Sequence, residues 1–253
     1  MTVADRCAHL FAVARLGYRG NGEALPIGVL LANSILGPLF YVLYFFFVRY
    51  GANENADPTD TLLTAFLLMP VGNTVFYLST IFARLRNWGV LRHVLVSRVG
   101  LFEFGLVQVI WAAGFAAFTV LVVALPTMFV VNSHAAIVIN FSVAAVIACV
   151  SLSLVGLLCA ILIISMRNYL IFTNSLFFVV ILTSGVVDDI AGSVDLLLML
   201  NPLRPLVRWM EDTGAVTLGD WRLGLAIGVG LTFGIMAWGS AVLQARRIEI
   251  EDI

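Results

Sequence analysis

Between Glu103 and Arg167 the chain runs for 63 residues without one Asp, Glu, Lys or Arg. Lipid selects for such a run, because a charge at the centre of a spanning helix costs roughly 2.5–3.5 kcal/mol on insertion scales. One crossing takes about 20 mostly apolar residues, so this stretch is too long for a single helix. A polar break at Asn132, Ser133 and His134 divides it into a helical hairpin. The remainder of the chain agrees, with 61% hydrophobic and 11% charged residues. The fold class this predicts is an all-α polytopic membrane protein.

Charge-free stretches mark the other crossings, giving six transmembrane helices at about 24–48, 61–83, 104–130, 136–165, 168–187 and 223–245. Arginine placement sets the orientation, since cytoplasmic loops near the spans retain an excess of it. An even number of spans puts both termini on one side, and that side then holds ten of the fourteen basic residues. Arg49, Arg204, Arg208 and Arg222 fall on the other side, with Asp188, Asp189, Asp195, Glu211, Asp212 and Asp220. Both termini are therefore expected in the cytoplasm, in a cell inner or plasma membrane. The stretch Val194 to Met210, within a segment of about 190–212, is mostly apolar but carries Asp195, Arg204, Arg208 and two prolines, too short and too charged to cross. It reads as an outer re-entrant pair of short helices broken near Asn201 and Pro202.

Two amphipathic pieces lie on the expected inner face. Val3, Cys7, Leu10, Phe11 and Ala14 recur every three or four positions, so about 2–20 reads as an interfacial elbow helix. After the second span, Val90, Leu91, Val94 and Leu95 share one helical face while Arg92, His93 and Arg98 project from others. A rigid inner helix of this kind is something a soluble motor can grip; as topology anchors the same arginines need no further role.

What the chain lacks narrows its chemistry. All fourteen basic residues are Arg, so no Walker lysine and no Schiff-base lysine exists, and no polybasic block follows a nucleic-acid backbone. Cys7, Cys149 and Cys159 form no CxxC or disulfide pattern. Asp5, Arg6, His9 and Arg15 interrupt the first twenty residues, so no cleaved signal is expected. Proton-coupled transport calls for acidic or histidine residues deep in the bilayer, and Glu103 at the inner end of the third span is the lone candidate. Intramembrane protease motifs are absent as well. No catalytic, cofactor-binding or metal site is expected on the chain, so a driving force has to come from elsewhere.

The order of parts resembles the ABC-2 type exporter permease. The resemblance rests on the elbow helix, LGPLFYVLYFFFV in the first span, WGVLRHVLVSRVGLFEF from Trp88 to Phe104, and NPLRPLVRWM before the last span. It departs from the family pattern at Arg92, where an acidic residue is usual, and at Arg98, where a proline is usual. The resemblance implies a permease that dimerises with an identical or paralogous copy and docks two ABC ATPase subunits, which carry ATP and Mg. Segment 86–98 would be the coupling helix, with Arg86, Trp88, Arg92, His93 and Arg98 as its contacts. The implied activity is ATP-driven export of an amphiphilic or hydrophobic substrate such as a drug, antibiotic or lipid-like molecule. Alternatives are export of a polysaccharide or lipid-linked glycan, and a scaffold or sensor subunit that moves nothing. Tyr41, Tyr44 and Asn73 are candidates to line the path, although Asn73 equally suits a hydrogen bond to another helix. Gly224, Gly228, Gly230 and Gly234 permit close helix approach, within one copy or between two.

Overall fold

A computed structural model describes residues 35–52, 58–89, 100–130, 135–166, 168–186, 193–212 and 219–251, together with residue 8. The elbow segment and residues 90–99 lie outside the described residues. Every element among those described is helical: α1 (Gly37–Ala52), α2 (Thr61–Asn87), α3 (Leu101–Val130), α4 (Ala135–Ile163), α5 (Tyr169–Thr183), α6 (Ser193–Leu198), α7 (Leu203–Asp212) and α8 (Trp221–Glu251). Four of them, α2, α3, α4 and α8, are long and apolar enough to cross a membrane, and α1 and α5 contribute shorter apolar helices. Four long apolar helices and two shorter ones are thus present among the described residues. α2 extends one turn past the expected end at residue 83, and α3 begins at Leu101, so Glu103 sits in its first turn.

The helices α2 and α4 form the centre of the bundle, with 78% of their apolar windows buried against 33% for α3 and α8. Sequence explains why α4 is central: Ala144, Ala145, Ala148, Ser151 and Gly156 are small and buried, so neighbours can approach its backbone on several sides. A Cβ on Gly230 of α8 would lie 2.8 Å from the Ser151 Cα, and one on Gly156 would lie 3.0 Å from the Val75 Cα of α2. The contact is reinforced where the Ser151 hydroxyl donates to the Ala226 carbonyl at 3.1 Å. Gly230 and Gly234 therefore pack inside one copy, against Ser151 and Leu154, whereas Gly224 and Gly228 face open space.

α2 is irregular where Pro70 interrupts its hydrogen-bond ladder. A turn at Leu67–Leu68 precedes it and a π-helical turn, Gly72–Phe76, follows. The Thr74 hydroxyl donates to the Pro70 carbonyl at 2.6 Å, satisfying an acceptor the irregular stretch exposes. At the far end of α5 the chain turns through Gly185 into the α6–α7 pair. The break between those two helices falls at Asn201 and Pro202. Asn201 holds it: its Oδ1 accepts from the Leu203 N–H at 3.0 Å, and its Nδ2 donates to the Val180 carbonyl at 2.6 Å and to Thr183 Oγ1 at 2.8 Å. α7 then buries Leu203, Leu206, Val207 and Trp209 in the bundle.

Candidate functional site

Polar chemistry gathers at the two ends of the bundle. At one end α2 finishes in a left-handed cap: Gly89 has φ +72°, and the Trp88 and Gly89 amides donate to the Arg84 and Arg86 carbonyls at 2.9 and 3.0 Å. Arg86 thus belongs to the last turn of the second span, and any separate coupling helix starts beyond Gly89. Its guanidinium reaches across to α4, where Nη1 donates to the carbonyls of Ile163, Ile164 and Met166 at 3.2, 3.2 and 2.6 Å. A cation here meets the unpaired carbonyls and the negative pole of a helix C-terminus. Arg86 therefore ties the base of α2 to the base of α4. Trp88 is exposed beside it. Arg92, His93 and Arg98 lie outside the described residues.

The opposite end holds Arg49, Arg204, Arg208 and Arg222, and all four are paired. Arg204 is 1% exposed; its Nε and Nη2 donate to Asp195 Oδ1 at 2.8 and 2.6 Å. Its other side lies over Gly185, whose φ is +84° and where a Cβ would stand 1.7 Å from Nη1. Only glycine meets both the backbone and the space requirement. Arg208 lies 3.8 Å from Asp195 and 3.9 Å from Glu211. Arg49, on α1, reaches Glu211 at 2.5 Å and the Val186 carbonyl at 3.4 Å. Arg222, at the start of α8, pairs with Asp212 at 2.6 Å and donates to the Arg208 carbonyl at 3.0 Å. One ionic network joins α1, α6, α7 and α8. Sequence spacing does not pair these charges: Asp195 and Arg204 are nine apart across a helix break, a spacing that marks no helical face.

The three path candidates do not come together. Tyr41 and Tyr44 are exposed on α1, with Tyr41 packed on Phe177 of α5 at a centroid distance of 5.2 Å. Asn73 is buried at the contact of α2 with α3, where its Nδ2 donates to Thr119 Oγ1 at 2.7 Å. Of the two roles open to it, the interhelical hydrogen bond is the one seen.

Apolar helices packed around a buried apolar core, with ionic side chains gathered at the ends among the described residues, define a multi-pass all-α membrane protein. The sequence matches the ABC-2 type transporter family over residues 16–213. The chain belongs to that family and is a membrane permease of an ABC transporter, a transport component and not itself an enzyme. Permeases of this family normally work with an ABC ATPase. The match covers α1 to α7 and stops before α8. Among curated proteins, none matches the chain.

Proposed function

We propose that the chain is the permease of an ATP-driven exporter, moving an amphiphilic or hydrophobic substrate such as a drug, antibiotic or lipid-like molecule out of the cytoplasm. The observation that carries this reading is the division of charge between the two ends. At the Arg49 end every described arginine is neutralised by a carboxylate or lies beside one, so those cations are held by pairing. That fits an outer face, with both termini and the Arg86 end in the cytoplasm. Two ABC ATPase subunits, holding ATP and Mg, dock on that inner face through Trp88, Arg92, His93 and Arg98.

Arg86 then acts within the permease as a joint. A push on the segment that follows Gly89 reaches the α2 base first, and the guanidinium passes it to the C-terminal end of α4. Because α4 is the central helix, displacement there reaches α8 through the Gly230–Ser151 contact. Binding energy in the motor thereby shifts the balance between inward-open and outward-open arrangements of a pair of permease copies. Tyr41 and Tyr44 border the path between the copies.

The test is co-purification with a candidate ABC ATPase co-expressed with it, followed by vesicle assays. Vanadate-sensitive ATP hydrolysis stimulated by amphiphiles, with their ATP-dependent movement, is expected. A chain that recruits no ATPase favours the scaffold, and stimulation by lipid-linked glycans alone favours the glycan exporter.

A further inference from the structure

Among the arginines whose side chains are described, one stands apart. Arg49, Arg204, Arg208 and Arg222 lie on carboxylates, and Arg86 lies on the α4 carbonyls. Arg84, in the same last turn of α2 as Arg86, is half-buried yet takes part in no hydrogen bond or ion pair among the described residues. Glu103, half-buried in the first turn of α3, is likewise without a partner there. The fold brings these two unmatched charges to one end of the bundle. α2 and α3 run antiparallel, registered by Asn73 on Thr119 and, toward the Arg86 end, by Phe82 on Phe104 at a centroid distance of 5.8 Å. Arg84 follows Phe82 by two residues and Glu103 directly precedes Phe104, so both fall at the same end of the α2–α3 seam. Leu106 and Ile110, on the Glu103 side of α3 at helical spacing, are exposed and apolar.

Opposite signs restrict what can satisfy both groups. A bare anion drawn to Arg84 is repelled by Glu103, and a bare cation drawn to Glu103 is repelled by Arg84. A molecule that joins a phosphate to an ammonium through a short link meets both at once. Partial burial strengthens each contact, because a charge-assisted hydrogen bond gains in a medium less polar than water. The position selects a lipid over a free zwitterion, since the seam ends at the polar boundary of the helices and continues into exposed apolar side chains. We propose that this end of the α2–α3 seam holds a phosphatidylethanolamine, its phosphate on Arg84, its ammonium on Glu103 and its acyl chains along Leu106 and Ile110. The primary ammonium donates three N–H groups to the carboxylate, whereas the quaternary ammonium of phosphatidylcholine donates none. The site goes beyond the export reading and stands whether or not the chain moves a substrate.

The experiment places the full chain in nanodiscs of equal parts phosphatidylethanolamine, phosphatidylcholine and phosphatidylglycerol, then releases it for native mass spectrometry of the retained lipid. Phosphatidylethanolamine is expected to be retained about tenfold over either of the others. Glu103→Gln should bring that preference to near parity, Arg84→Gln should lower retention of every phospholipid, and Arg84→Lys should restore it. Equal retention of the three lipids by the unsubstituted chain overturns the proposal. So does displacement of the lipid by soluble O-phosphoethanolamine at equal concentration, which would make the acyl chains irrelevant. Thermal melts of Arg84→Gln, Glu103→Gln and the double variant in lipid-free detergent should be additive. A double variant no less stable than either single one means that the two charges pair directly, and that result also overturns the lipid site.

Discussion

Replacing Asp195 by Ala isolates a buried guanidinium. Arg204 is 1% exposed, and its two donors to Asp195 stand at 2.8 and 2.6 Å. Removing one partner of a fully buried ion pair costs about 3–5 kcal/mol, most of it the desolvation of the charge left behind. Asp195 keeps 23% of its side-chain exposure, so water partly screens the pair, and Arg204 retains a further interaction. The expected loss is about 2–3 kcal/mol. For a chain of this size that corresponds to a melting temperature lower by roughly 5–10 °C. Thermal unfolding in detergent, followed by tryptophan fluorescence, reads it directly, since Trp209 is buried on the same helix as Arg204. The double variant Asp195→Ala/Arg204→Met removes both charges and keeps the volume, and should recover most of the loss. A single variant that melts with the wild type, or a double variant as unstable as the single, refutes the reasoning.

Gly230→Leu drives a side chain into the Ser151 backbone, where even a Cβ meets Cα at 2.8 Å, and should cost at least about 2 kcal/mol in the same melt, while Gly228→Leu, facing open space, should be near neutral. Arg86→Ala strips the α4 carbonyls of their donor; about 1.5–3 kcal/mol of stability should go, and amphiphile-stimulated ATPase should fall more than basal ATPase. Arg92→Glu and Arg98→Glu should weaken ATPase stimulation and export in vesicles, and unchanged values in both would take these residues out of the coupling.

Insertion into lipid is decided over windows of about 20 residues. The apolar runs, the hairpin break and the turn at Asn201–Pro202 are therefore legible from the chain alone. So is the family, through segments of fixed order between the elbow and NPLRPLVRWM. Which helix meets which is a different kind of property, since it depends on atoms brought together from distant positions. Four similar glycines in α8 divide into two packed against α4 and two where an added Cβ would meet no described atom within 4 Å. Asn73 acquires one role when Thr119 arrives opposite it. Arg86 changes from a loop charge into a cap on α4, and Asp195 finds Arg204 only after the chain folds back between α6 and α7. Local hydropathy thus set the apolar, helical nature of the segments, while long-range packing chose the partners of each polar group, because in a dry interior such a group has to be matched by another part of the protein.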